Sequence, residues 1–319
     1  MSEQQQVEVF RHQAEQCEGR SQLYAGLCSR LAHDQRVPPL VGELTWDAPL
    51  RLLGGLHALV LSGRASWDDL DAALERPELS QLAARPIQTN EVGRSWTLLP
   101  CFLELARRTE ADTLDLIELG SSAGFNLLWD RYRYSYEAGT WGSAEALLEL
   151  DGEERDSVPA ELLELEPRVR HRVGIDRDPV DVTSEEGCLR LRSFGWPGHE
   201  GRLDRLDSAI AAVRREPPRL LRGDLVELLP RLLAERDPDV LTLVFQTAVL
   251  GYLPDDGWNR VQRSLAMAGS DGSLAFVWTA RPAEDVHGHW GLGVQLWPGE
   301  SRELVAHADF HGAWLEWLA

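Results

Sequence analysis

Residues Thr113–Asp130, TLDLIELGSSAGFNLLWD, decide the fold. Leu114, Leu116, Ile117 and Leu119 form a short apolar run, the pattern of a strand covered on both faces. Glu118 sits at its carboxyl end. Gly120, Ser121, Ser122, Ala123 and Gly124 are small enough for the backbone to turn sharply and approach a ligand. Phe125, Leu127, Leu128 and Trp129 then resume at helical spacing. A strand feeding such a turn and a helix N-terminus is how doubly wound sheets hold nucleotide-like ligands.

Outward from this segment the chain changes character. Before Ala111 it reads as helical, with Val7, Phe10, Ala14 and Cys17 at helical spacing, then Leu23, Leu27 and Leu31, then 50–61. Ser66-Trp67-Asp68-Asp69 reads as a helix cap with acids in the first turn, and a last helix is expected over about 91–108. After Ala111, strands alternate with helices, the signature of a parallel sheet. The expected strands are 114–119, 170–175, 219–222, 240–246 and 273–279. Helices are expected at 203–215, 225–234 and 258–268. Runs at 293–297 and 302–308, joined by Pro298-Gly299-Glu300, signal a closing hairpin. Residues at about 131–169 read as an insertion with a short hairpin, because Tyr132, Tyr134 and Tyr136 alternate before several glycines. The expected organisation is a helical cap domain over 1–110 and an α/β domain over 111–319.

Two chemistries compete for the turn. As E-x-G-x-S-x-G it resembles the first motif of class I S-adenosylmethionine (SAM) methyltransferases, in which the acid and the glycines line the methionine part of SAM. That resemblance makes Glu118, Gly120, Ser122 and Gly124 cofactor residues, with Ser122 where the family usually has Gly. As G-x-S-x-G it matches the nucleophile elbow of serine hydrolases, with Ser122 as nucleophile and Asp255 or Asp285 before a C-terminal His. A plain turn holding nothing is the third reading. Glu118 and the lack of strands before residue 110 favour the first. In that family an acid ending the second strand accepts from both ribose hydroxyls, and a polar residue after the third meets the adenine. Asp176 and Asp224 stand in those places. A carboxylate suits a diol because its two acceptors match the hydroxyl spacing.

Composition excludes several alternatives. The 319 residues contain no lysine, so all 32 basic residues are arginine. Walker A loops, pyridoxal enzymes and protein kinases each need a lysine and drop out. A net charge of −20 disfavours nucleic acid and anionic membranes as partners. Cys17, Cys28, Cys101 and Cys188 form no C-x-x-C pair, so zinc-ribbon and thioredoxin-like readings fail. Scattered thiols, a polar N-terminal stretch and no long apolar run lead to the expectation of a soluble cytoplasmic protein.

The catalytic end is sparser. The fourth strand ends in Phe245-Gln246-Thr247-Ala248, not the Asp/Asn-Pro-Pro-aromatic turn of nucleic-acid amino methyltransferases, and carries no cysteine for C5-pyrimidine methylation. Gln246 and Thr247 are candidates to orient a nucleophile, with Tyr252 on the same loop. Asn90, Glu91 and Arg94 are candidates for a substrate pocket, since Glu91 and Arg94 share a helix face. His289 or His311 is a candidate general base. His287, His289, His307, Asp309 and His311 are residue types that ligate metals, but such isolated pairs are more often loop or pocket residues, and no metal is expected.

The segments 88–94 (QTNEVGR), 118–128 (ELGSSAGFNLL), 174–181 (GIDRDPVD) and 311–314 (HGAW) together resemble one bacterial domain-of-unknown-function family with a methyltransferase-like core. The resemblance implies an α/β fold: a doubly wound, mostly parallel, class I methyltransferase-like sheet of Rossmann type, with a C-terminal antiparallel hairpin and an N-terminal helical cap. It implies SAM as cofactor and a small-molecule acceptor. A methyltransferase-like protein that binds a ligand or partner without catalysis is the alternative.

Overall fold

The computed structural model describes residues 3–198, 200–280, 289–299 and 301–319. Its elements in chain order are α1 (Glu3–Cys17), α2 (Gln22–Leu31), α3 (Val37–Val41), α4 (Ala48–Leu61), α5 (Leu70–Leu74), α6 (Leu79–Ala83), α7 (Arg94–Thr109) and β1 (Thr113–Leu119). There follow β2 (Arg133–Tyr136), β3 (Gly139–Trp141), β4 (Glu149–Leu150), β5 (Glu153–Asp156), β6 (Arg168–Asp176), α8 (Glu185–Ser193), α9 (Glu200–Arg215) and β7 (Arg219–Arg222). The last are α10 (Leu225–Ala234), β8 (Leu241–Gln246), α11 (Asp255–Gly269), β9 (Leu274–Thr279), β10 (Trp290–Trp297), β11 (Ser301–Ala308) and β12 (Trp314–Trp317).

The chain divides into two compact units, Met1–Thr89 with Asp181–Leu206, and Asn90–Val180 with Asp207–Ala319. The division does not follow the expected one at residue 110. α7 belongs to the second unit, and the first takes α8 from between two strands of the sheet.

The first unit is all helical. Phe10, Tyr24, Leu31, Leu52, Leu53 and Leu56 anchor its core. Gly54 and Gly55 let α4 come close to its neighbours: a Cβ at Gly54 would lie 2.6 Å from the Phe194 ring, and one at Gly55 3.1 Å from Leu79. Arg51 is buried, and its guanidinium donates to the carbonyls of Val41 (3.2 Å), Ala83 (2.8 Å) and Glu43 (3.2 Å), which satisfies the last carbonyls of α3 and α6. The expected cap at Ser66 falls three residues late: Asp69 caps α5 by accepting from the Ala72 N–H at 3.0 Å.

The second unit is built on a nine-stranded sheet of order β5-β12-β11-β10-β9-β8-β1-β6-β7. β7, β6, β1, β8 and β9 are parallel to one another. Counted among these five, the order is third, second, first, fourth, fifth, that of a doubly wound sheet. β10 pairs antiparallel with β9, and β11 with β10, so the expected hairpin continues the sheet directly. The insertion forms the hairpin β2–β3, adds β4 beside it, and sends β5 to the far edge of the main sheet against β12. Ile117, Leu119, Ile175 and Val244 face α10 and α11 with Leu229, Leu233, Val261 and Leu265. The opposite face carries α7, where Phe102 meets Phe245 at 5.1 Å between ring centroids. Trp96 of α7 stacks on Tyr136 of the insertion and donates to the Ser135 carbonyl at 2.9 Å. α7 is therefore buried between sheet and insertion, which is why its polar Ser95, Thr97 and Glu104 are buried too.

A further expectation is corrected. Residues after the glycine turn do not start an α-helix. Asn126–Arg131 form a six-residue 3₁₀ stretch with non-helical backbone at Leu128. Tyr132 and Tyr134 hold it by donating their hydroxyls to the carbonyls of Phe125 and Trp129, each at 2.7 Å.

Candidate active site

The first and fourth parallel strands, β1 and β8, diverge in their connections at the middle of the sheet. In doubly wound sheets the carboxyl ends at that point form the ligand crevice. Glu118, the glycine turn, Gln246 and Thr247 all lie there.

The turn is conformationally demanding. Gly120, Ser122 and Gly124 have φ of +74°, +52° and +77°. Ser122 thus occupies a left-handed position that Gly adopts at less cost. A Cβ on Gly120 would meet Val249 at 2.8 Å, and one on Gly124 would meet Pro218 at 2.7 Å, so glycine is needed at both for packing as well. The N–H groups of Gly120 and Ser121 donate to the Ile175 carbonyl at 2.8 and 3.2 Å. The Ser122 N–H donates to Asp176 Oδ2 at 2.8 Å, and the Gly124 N–H to the Ser121 carbonyl at 2.7 Å. Four amides that a phosphate cradle would use are bonded within the protein, and no α-helix N-terminus follows. The turn is not shaped to bind a phosphate.

Asp176 ends β6 beside this turn. Its Oδ1 accepts from the Asp178 N–H at 2.8 Å, so two backbone amides fix the carboxylate while each oxygen keeps a second lone pair. Asp224 is the N-cap of α10, accepting from the Val226 N–H at 2.8 Å, and pairs with Arg177 at 2.9 Å. Against its partial burial, those two donors hold its carboxyl below the ordinary range.

Glu118 is 2 % exposed. Oε1 accepts from Asn126 Nδ2 at 3.3 Å, and Asn126 Oδ1 accepts from the Ser95 hydroxyl at 2.8 Å. Among the described residues Oε2 has no partner. Burial pushes the carboxyl up to about 8, with Asp176 adding to the rise and Asn126 and Arg94 opposing it. A buried, half-satisfied carboxylate is costly unless a cation or donor reaches it.

A second cluster closes the crevice. Arg94, at the start of α7, donates from Nε to the Phe310 carbonyl at 2.9 Å and from Nη1 to Thr247 Oγ1 at 3.4 Å, and lies 4.9 Å from the Trp290 ring centroid. Glu91 is buried, accepts from the Gly93 N–H at 3.1 Å, and lies 3.9 Å from His311 Nδ1. The two backbones interlock: a Cβ on Gly93 would lie 2.5 Å from the His311 carbonyl oxygen, and one on Gly312 2.2 Å from that of Gly93. Asn90 has φ +32°, and its Nδ2 is buried with no partner among the described residues. Gln246 is fully buried and donates to Thr279 Oγ1 at 2.9 Å, while its Oε1 has no partner among the described residues. Tyr252 is 44 % exposed on the loop after β8.

His289 is placed with a different set. Its ring packs against His307 at 4.6 Å and Trp314 at 5.2 Å, and His307 pairs with Glu316 at 3.0 Å. His287 and Asp285 lie outside the described residues. Among the described residues no three His, Cys, Asp or Glu side chains converge as a metal would require, and no helix is long and apolar enough to cross a membrane.

Sequence reasoning missed Asn126, Ser95, Trp290 and Phe310. Asn126 lay inside the decisive segment, and its position eight residues after an acid it contacts was a usable signal. The contact of Arg94 with Phe310 spans 216 residues and left no local trace.

A family model described as "Uncharacterized protein conserved in bacteria (DUF2332)" matches residues 7–317. No curated protein matches. Among solved structures, the chain is similar to an S-adenosylmethionine-dependent methyltransferase from Clostridium acetobutylicum ATCC 824, at 11 % identity over 66 % of this chain and 71 % of that one, with a TM-score of 0.27. It is also similar to a proposed class I S-adenosylmethionine-dependent methyltransferase from Listeria monocytogenes, at 16 % identity over 88 % and 74 % of the two chains, with a TM-score of 0.29. The fold class rests on the strand order rather than on these likenesses.

Proposed function

This chain belongs to that bacterial family, and we propose that it is a SAM-dependent methyltransferase acting on a small acceptor. The observation that carries the reading is Glu118: a buried carboxyl with one oxygen unpartnered among the described residues, at the switch point of a doubly wound sheet, beside a turn whose amides are already used. A dinucleotide needs free amides for its pyrophosphate. A nucleoside bearing an amino-acid arm needs an anion for its ammonium and a carboxylate for its ribose, and these residues fit that demand.

Glu118 would hold the ammonium of SAM, with Gly120, Ser122 and Gly124 giving the methionine arm its close approach. Asp176 would accept from the ribose hydroxyls, and Asp224 would sit toward the adenine. SAM, when bound, supplies an electrophilic methyl on a sulfonium. The chain's own part is alignment and exclusion of water. Asn90, Glu91, Arg94 and Tyr252 would line the acceptor side, with Gln246 and Thr247 orienting the acceptor at the end of β8. His311, beside Glu91, or His289 would take a proton from an acceptor that carries one.

The test is ligand-induced stabilisation. SAM or S-adenosylhomocysteine at one hundred times its Kd should raise stability by about 2.7 kcal/mol, and Asp176→Ala should remove most of the shift. No shift at millimolar ligand with folded protein would sink the assignment. Binding with no methyl transferred to a broad panel of small acceptors would instead favour a non-catalytic, ligand-binding role.

A further inference from the structure

Among the described residues the Glu118 carboxyl has one hydrogen bond, from Asn126 Nδ2 to Oε1 at 3.3 Å, and Oε2 has none. An ionised carboxylate only accepts, so Asn126 must turn its NH2 toward Glu118 and its own carbonyl away. That carbonyl then needs a donor, and the Ser95 hydroxyl supplies it at 2.8 Å. All three side chains are buried, Ser95 completely. A buried amide with a donor on one side and an acceptor on the other has one favoured direction.

Three elements carry this row of groups, and each is fixed. Glu118 lies in β1, paired on one side with β6 and on the other with β8. Asn126 opens the 3₁₀ stretch that the Tyr132 and Tyr134 hydroxyls hold. Ser95 is in the first turn of α7. Its N–H donates to the Val92 carbonyl at 2.9 Å, and the Tyr136 hydroxyl donates to the carbonyl of the next residue, Trp96, at 2.5 Å.

We propose that Ser95 and Asn126 are positioning residues for the ligand ammonium, a role that rests on the SAM reading of Glu118: Ser95 fixes the direction of the Asn126 amide, Asn126 takes up Oε1, and Oε2 is kept for the ligand. Asn126 governs charge as well as direction. Burial pushes the Glu118 carboxyl up and Asp176 adds to the rise, while Asn126 and Arg94 oppose it. Tyr132, on the same buried side, is shifted up by burial and then by Glu118. Only the ionised acid attracts an ammonium. Without the Asn126 donor that form loses a charge-assisted hydrogen bond, and Glu118 holds its proton more tightly. Ser95 acts through Asn126, because its hydroxyl bonds the amide rather than the acid. Ser95 also follows Arg94, so one turn of α7 would serve both the cofactor acid and the acceptor side.

The test is a titration of Glu118 itself in the full chain. Infrared difference spectroscopy follows the C=O stretch of the protonated carboxyl, identified as the band absent in Glu118→Gln, as pH rises. Asn126→Leu keeps the shape and removes the donor. Its band should persist to a pH about one to two units higher than in wild type, the equivalent of a hydrogen bond to a charged group. In Ser95→Ala the band should move the same way by less, and Ser95→Ala should add nothing in the Asn126→Leu background. Lost packing would lower stability without moving this titration. Below the raised pKa, the affinity for S-adenosylhomocysteine should fall by about tenfold for each unit of the shift. If Glu118 titrates in Asn126→Leu as in wild type, the proposal is overturned whether or not the ligand binds. Ser95→Ala decides in the same way if the leucine variant does not fold. A shift with undiminished affinity also overturns it. If the shift appears but wild type binds no S-adenosylhomocysteine at millimolar concentration, the SAM reading falls while Asn126 and Ser95 still position Glu118.

Discussion

The orphaned oxygen of Glu118 makes a measurement of protons the sharpest check on the ligand site. With its carboxyl raised to about 8 by burial, Glu118 is about 97 % protonated at pH 6.5 before any ligand arrives. A ligand ammonium docking on it favours the ionised form, so the proton must leave. Binding of S-adenosylhomocysteine at pH 6.5 should release about 0.9 of a proton, the small shortfall coming from a ligand amine that is itself almost fully charged. Calorimetry in buffers of different ionisation enthalpy reads this number directly. The sign then fixes the pH dependence. Below the raised pKa, each unit of acid adds the work of removing that proton, so affinity should rise about tenfold per unit near pH 6, peak near pH 8 and fall above it as the ligand amine loses its own proton. Glu118→Gln keeps the shape and the bond from Asn126 with its side chain neutral. It should release no proton, flatten the pH profile, and weaken binding by the roughly 1.5–3 kcal/mol of a hydrogen bond to a charged group. In the ligand-free protein the same raised pKa means the fold keeps a proton that the unfolded chain gives up. The contribution of Glu118 to stability should therefore be full below the ordinary carboxyl range and be lost as pH rises toward about 8, and Glu118→Gln should remove that part of the pH dependence. Tight binding with no proton release, or an unaltered affinity in Glu118→Gln, would refute the reasoning.

Two further outcomes are expected. Ser122→Gly relieves a side chain held at φ +52° and should keep ligand binding, with stability within about 1 kcal/mol because the gain offsets the greater freedom of unfolded glycine; a serine-directed fluorophosphonate should leave the wild type unlabelled, and stoichiometric labelling at Ser122 would establish a hydrolase instead. Gly312→Ala places a Cβ 2.2 Å from the Gly93 carbonyl oxygen at φ +80° and should cost more than about 2 kcal/mol in denaturant unfolding, with a value under 0.5 showing that the two backbones do not need their close approach.

The amino-acid sequence by itself determined the local units. The apolar runs of β1, β8 and β9, the small-residue turn and the alternation of Tyr132, Tyr134 and Tyr136 are short-range patterns, because backbone sterics and burial on one or two faces act within a few residues. They placed Glu118, Gly120 and Asp176 at the carboxyl ends of their strands. Only the tertiary structure decided the rest. The segment after Gly124 carries helical spacing yet forms a 3₁₀ stretch, since Tyr132 and Tyr134 return to take carbonyls that an α-helix would have used. α7 reads as part of a helical cap but lies between the sheet and the insertion, because Trp96 finds its partners at Ser135 and Tyr136. Arg94 meets Phe310, Glu91 meets His311, and β5 meets β12 across distances in the chain that no periodicity encodes. Those pairings are selected by which surfaces remain to be buried and which polar groups remain to be satisfied once the local elements exist, and that is settled by packing in three dimensions.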